Sequence, residues 1–189
     1  MQASGPAARG YSWFKATVFA LLAGNTAVFL FSGTLSEALD ATAWLVLLVL
    51  FELETGLGDH FRGGRATSFI HGTRLIAAGA VGAAAFGYLY EQEWLDAINS
   101  GLWIAVVALL EIELRHRGAV ERHRAWFAAA AGTLYSGLGA LVLIWFWRGE
   151  WFDAYDALLW LIALVTIEIN VLRISRPRVY AETGAPKPG

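Results

Sequence analysis

Six stretches of this chain are almost continuously apolar, approximately Phe14 to Ser32, Ala38 to Thr55, Thr73 to Tyr90, Trp94 to Leu114, Ala125 to Trp147 and Phe152 to Leu172. About 20 mainly apolar residues in helical form span a hydrocarbon core of about 30 Å, so the pattern predicts six transmembrane helices and an all-α polytopic fold. None of the stretches contains proline, which is confined to Pro6, Pro177, Pro186 and Pro188. The first follows Arg9 and Lys15 as a signal peptide would. It lacks a small-residue cleavage site and five further spans follow it, so it is read as a retained helix. The expected organisation is an N-terminal tail over 1–12, a six-helix domain over 13–173 and a C-terminal tail over 174–189. The ends, Met1 to Gly10 and Arg176 to Gly189, are small, polar and proline-bearing, and read as disordered or partner-docking segments.

Composition agrees with this pattern. Of 189 residues, 57% are hydrophobic and 16% charged, with a mean hydropathy of +0.51. These values exclude an ordinary soluble domain. There is no cysteine, which removes disulfides, thiolate metal sites, cysteine-ligated clusters, covalent haem and a cysteine nucleophile. No cofactor is expected.

Charge then orients the helices. With six spans both termini lie on one side, and all the Lys and Arg residues except Arg148 fall there. The positive-inside rule therefore places the termini and the two long loops in the cytoplasm of a multi-pass inner-membrane protein. The formal net charge of −2 conceals an acidic outer side carrying Glu37, Asp40, Glu91, Glu93, Asp96, Glu150, Asp153 and Asp156. Topology alone accounts for the arginines, so nucleic acid is not an expected partner. Trp94, Trp145, Trp147 and Trp151 near one boundary, and Trp13 and Trp126 near the other, read as interfacial anchors.

An internal repeat is the strongest organisational signal. The even-numbered helices open with E-x-[LF]-D-A at Glu37, Glu93 and Glu150, and each places a Trp eight residues before a Glu: Trp44 and Glu52, Trp103 and Glu111, Trp160 and Glu168. Aligned on the opening string, the first copy is three residues shorter between Asp and Trp. The period is one helical hairpin, predicting three tandem hairpins of parallel topology, about 13–55, 73–115 and 124–173, around a pseudo-threefold axis along the membrane normal. The odd helices share a small-residue stripe: Ala16, Ala20 and Gly24; Gly79, Ala83 and Gly87; Ala128, Gly132, Ser136 and Ala140. Such stripes are expected at helix contacts.

Carboxylates inside a span are costly and so raise functional questions. Asp40, Asp96 and Asp153 fall near helix starts, where capping explains them well; they also form a possible outer acidic ring. Glu52, Glu111 and Glu168 lie near helix C-termini, where a carboxylate opposes the dipole. Glu54, Glu113 and Asn170 follow two residues later. In a pseudo-threefold bundle the three inner Glu would share a depth and could form a layer that binds a cation or takes up a proton. The competing reading is ion pairing, since Arg115 and Arg117 stand four residues beyond Glu111 and Glu113. The residues above each Glu are apolar, so a route across would have to use Asn25, Thr26, Thr133, Tyr135 and Ser136.

Other chemistry is weaker. Glu113 and His116 form a lone E-x-x-H, a poor metal candidate without a second copy. His60, His71, His116 and His123 all sit in or beside the cytoplasmic loops, so no span supplies the base that an intramembrane serine protease needs. The loop from Gly56 to Arg65 is neither a dinucleotide fingerprint nor a P-loop. Three functions fit: a protein that handles a small cation or proton through the glutamate layer; a non-catalytic or assembly subunit of a membrane complex; or an enzyme acting on a lipid or quinone at the cytoplasmic face. The expected partners are membrane lipid, other membrane proteins or further copies of the chain.

Overall fold

The computed structural model describes residues 6–57 and 64–174, with side chains over 13–54 and 68–166 apart from Leu114 and Arg117. Among the described residues there are seven helices and no strand: α1 (Pro6–Ser32), α2 (Leu35–Leu57), α3 (Gly64–Glu91), α4 (Trp94–Arg115), α5 (Arg117–Arg122), α6 (Arg124–Arg148) and α7 (Trp151–Ile174). α1 begins at Pro6, inside the stretch expected as a tail. A proline at the first helical position loses no intrahelical hydrogen bond and has its φ already set. α3 likewise starts well before the apolar run at Thr73, because helix propagation needs only the absence of a breaker. The short α5 was not foreseen; it fills the link between α4 and α6, with His116 and His123 at its two ends.

Two-residue turns join α1 to α2, α3 to α4 and α6 to α7. In the first, Thr34 and Glu37 form a capping box: the Thr34 N–H donates to Oε2 of Glu37 at 2.5 Å and the Glu37 N–H donates to Oγ1 of Thr34 at 3.2 Å. Gly33 has no room for a side chain, since an added Cβ would meet the Phe29 carbonyl at 2.7 Å. The other two turns reverse through a left-handed residue, Gln92 at φ 63° and Gly149 at φ 81°. In both, the following N–H reaches back to a carbonyl five residues earlier, Glu93 to Tyr88 and Glu150 to Trp145, each at 2.9 Å.

The six long helices close into a ring in chain order. α1 packs on α2, α2 on α3, α3 on α4, α4 on α6, α6 on α7, and α7 returns to α1. Apolar packing fills the interior: Val18 and Leu22 of α1 meet Leu48 of α2 and Leu159 of α7, while Val106 of α4 meets Leu138 of α6 and Leu164 of α7. Most of the outer wall is exposed aliphatic and aromatic surface, as at Leu21, Leu75, Phe86 and Leu143.

Among the described residues four helices are long and apolar enough to cross a bilayer, over Trp13–Ser32, Ser68–Glu91, Trp94–Glu113 and Arg124–Arg148. They mark a membrane-embedded protein. α2 is set apart by carboxylates at both ends, Glu37, Asp40, Glu52 and Glu54.

Two expectations about surfaces are overturned. Ala16, Ala20, Gly24, Gly79, Ala83, Ala128, Gly132, Ser136 and Ala140 are all exposed, and only Gly87 of the small-residue stripe lies at a helix contact, against Ser36 of α2. On α3 the packed face carries Ala77, Val81, Ala84 and Tyr88 instead, one register away from the stripe. Trp13, Trp94, Trp126, Trp147 and Trp151 are exposed as anchors should be, but Trp145 is 3% exposed and belongs to the interior.

Candidate functional site

α2, α4 and α7 alternate with α1, α3 and α6 around the ring, and each sends one indole to the centre. Trp44, Trp103 and Trp160 meet there with ring centroids 6.1, 6.3 and 6.4 Å apart and planes inclined by 57° to 67°. Tilted and edge-to-face contacts of this kind suit the aromatic quadrupole. The three rings form a floor across the axis.

Above the floor is a cavity of about 60 Å³. Its walls follow from the register of the helices. Leu35, Trp94 and Trp151 open α2, α4 and α7 nine residues before the floor Trp in every case. The first-turn acids are Glu37, Asp96 and Asp153, seven residues before the Trp. Asp40, Asn99 and Asp156 come three residues later, four before it. At 100° per residue these positions share the face that carries the indole. All of them line the cavity, together with Phe29, Tyr88 and Trp145 from α1, α3 and α6, each four residues before its turn. No Lys or Arg is among the described lining residues.

This geometry revises the outer acidic ring. Asp40 is not the counterpart of Asp96 and Asp153, because the matching E-x-[LF]-D-A strings align by letter and not by position in the helix. Glu37 stands level with them, and Asp40 is level with Asn99 and Asp156. Sequence reasoning missed Glu37, Asn99, Asp156 and Tyr88 as neighbours of one cavity. A gap-free alignment through the three Trp, [DE]-A-x-[DN]-x-x-x-W, carries that signal.

Polar pairing inside the chamber is incomplete. Asp156 accepts the Asn25 amide at 2.7 Å. Near the rim, Ser36 donates to Glu91 at 2.8 Å. Oδ1 of Asn99 is buried without a hydrogen-bond partner, whereas the Asp40 carboxyl lies against the Trp44 indole and the hydroxyls of Tyr88 and Ser100, the last a residue 0% exposed. Ser100 occupies in α4 the position that Ala41 and Ala157, both lining the cavity, occupy in α2 and α7.

The inner acids lie at the opposite end. Eight residues from an axial Trp is a rotation of about 80°, and ten residues about 80° the other way, so acids at these positions point sideways along the ring. Glu52 accordingly pairs with Lys15 of α1 at 2.5 Å, and Glu54 pairs with Arg74 of α3. Glu111 pairs with Arg115 of its own helix. Glu113 is half-buried, and the side chains of Glu168 and Asn170 lie outside the described residues. His116 has left the helix that carries Glu113, with φ −121°, so the E-x-x-H does not share one helical face. Among the described residues no three acidic or histidine side chains are arranged to hold one metal ion.

Of the residues a route across would use, Tyr135 packs partly buried beside Val106 and Leu138. The hydroxyls of Thr26 and Thr133 donate to carbonyls of their own helices at 2.9 Å, Asn25 is engaged by Asp156, and Ser136 is exposed. No family model matches this sequence, and no match was found among curated proteins or solved structures.

Proposed function

We propose that this is a six-span inner-membrane protein, built as three tandem hairpins with both termini cytoplasmic, that captures a small cation from the outer side in the chamber above the Trp floor. The observation that carries this reading is the lining itself: five carboxylates, Glu37, Asp40, Asp96, Asp153 and Asp156, with no basic residue among them. A water-limited cavity with one sign of charge concentrates counter-ions. The reading of three hairpins is supported by the equal two-residue turns and by the shared register from helix start to Trp. The orientation rests on the distribution of Lys and Arg.

In this reading the chamber, and not the inner glutamate layer, is the binding site. Glu52, Glu54 and Glu111 act as ion-pair partners at the cytoplasmic end, and Glu113, Glu168 and Asn170 belong to the same layer. The Trp floor separates the two levels, so passage of a cation to the cytoplasm requires those rings to move.

The test is isothermal titration of the purified full chain in nanodiscs of zwitterionic lipid, against ammonium, K⁺ and Mg²⁺. Saturable binding is expected. It should be lost when Asp40, Asp96 and Asp153 are replaced together by Asn and retained when Glu52 and Glu111 are replaced by Gln. Loss confined to the Gln variant would move the site to the inner layer.

A further inference from the structure

We infer that the link between α4 and α6 binds the headgroup of an anionic phospholipid through Arg122 and Arg124, a role independent of the chamber at the other end of the ring. The first reason is a difference among the basic side chains. Lys15, Arg74, Arg115 and Arg148 each meet a carboxylate, of Glu52, Glu54, Glu111 and Glu150 respectively. Among the described residues Arg122 and Arg124 have no ion pair, and both are exposed. Topology asks only for an excess of basic residues in such a loop. It does not account for two guanidinium groups left without a protein carboxylate where the others have one.

The build of the link is the second reason. It reads R-H-R-G-A-V-E-R-H-R from Arg115, with four Arg against one Glu. His116 and His123 leave the helical region at φ −121° and −118°. Their N–H groups still reach back to carbonyls, His116 to Ile112 at 2.8 Å and His123 to Ala119 at 3.0 Å, so each joint is one residue long and tied down. α4 and α6 are neighbours in the ring, and packed helices stand about 8–10 Å apart. The six residues of α5 extend about 9 Å, which matches the gap it has to bridge. The link is a brace across two helix ends.

Depth decides the partner. The apolar spans on either side run to Glu113 and from Arg124, so the brace stands where hydrocarbon gives way to headgroups. Trp126, two residues beyond Arg124 and 78% exposed, suits an anchor at that level. A guanidinium there meets phosphate, which it grips through paired N–H bonds. In a zwitterionic lipid the choline offsets the phosphate charge, and in phosphatidylglycerol nothing does. Basic residues at a membrane surface favour anionic lipid by about fivefold apiece.

The test is native mass spectrometry of the full chain released from detergent micelles that carry equimolar phosphatidylglycerol and phosphatidylcholine. Micelles have no sides, so the result does not depend on how the chain is oriented in a cell. Phosphatidylglycerol adducts are expected to exceed phosphatidylcholine adducts at least tenfold. Replacing Arg122 and Arg124 together by Gln should bring the ratio to about one, replacing both by Lys should retain most of it, and Arg148→Gln should leave it unchanged. The wild-type ratio decides the lipid class even if a variant fails to fold. Equal adducts of the two lipids on the wild type overturn the inference, as does a ratio that survives the double Gln exchange.

Discussion

The side-chain amide of Asn25 on α1 donates to Oδ1 of Asp156 on α7 at 2.7 Å, and this bond joins the first and last helices of the ring. Asn25 is buried and Asp156 half-buried on the cavity wall, where loss of a carboxylate's partner is costly. Side-chain hydrogen bonds between membrane helices contribute about 0.6 kcal/mol on average and reach about 1.7. Asn25→Leu is therefore expected to destabilise the fold by about 1–2 kcal/mol, and Asn25→Asp by more because it sets two carboxylates together. Thermal unfolding in detergent measures both, and an unchanged midpoint for Asn25→Asp would show that the helices close without this contact.

The Trp floor should behave as one packed unit. Each indole touches the other two, and Trp103 is 9% exposed. Trp103→Ala is expected to cost about 3–5 kcal/mol, and Trp103→Phe distinctly less, as a large-to-small change in a filled interior does. Because the rings share contacts, the Trp44→Ala and Trp103→Ala losses should fall short of additive by about 0.5–3 kcal/mol in the double variant. Simple additivity in chemical denaturation would mean the rings do not pack on one another.

The helices were legible because apolar length in a proline-free run leaves few alternatives, and the Trp of each even helix was visible at its fixed distance from a Glu. The role of that Trp was not. A Trp in a membrane helix most often marks the interface, and sequence carries no information on which helix face turns inward until the ring closes. Trp145 was misplaced for the same reason. The pairing of Glu52 is not legible from its own helix, because Lys15 stands 37 residues away on α1. The chamber is masked in the sequence because the shared E-x-[LF]-D-A letters pair Asp40 with Asp96, whereas helix register pairs Glu37 with it.

Two turns of the same geometry carry different residues, which gives a prediction of opposite signs. Gly149 and Gln92 both hold positive φ, a region that costs a residue with a Cβ about 1–2 kcal/mol. Gly149→Ala is expected to destabilise the fold by about 1 kcal/mol. Gln92→Gly is expected to stabilise it by about 0.5–1 kcal/mol, since release of backbone strain exceeds the added freedom of the unfolded chain. Unfolding midpoints of the two variants should move apart around the wild type; movement in the same direction would contradict a left-handed Gln92.

The Lys15 to Glu52 pair at 2.5 Å, with side chains 32% and 20% exposed, ties the N-terminal half of α1 to the C-terminal half of α2. Partial solvation limits what such a pair contributes to about 0.5–1 kcal/mol. Lys15→Glu should destabilise by at least that amount through like-charge contact, and adding Glu52→Lys should recover part of the loss in a double-mutant cycle. The same variants separate structure from binding. Eight residues of helix place Glu52 about 12 Å along the axis from Trp44, on the far side of the indole floor from Asp40 and Asn99. Cation affinity in the charge-reversed double variant is therefore expected to match the wild type even where stability does not. A parallel fall in both would show that the floor transmits changes between the two ends of the ring.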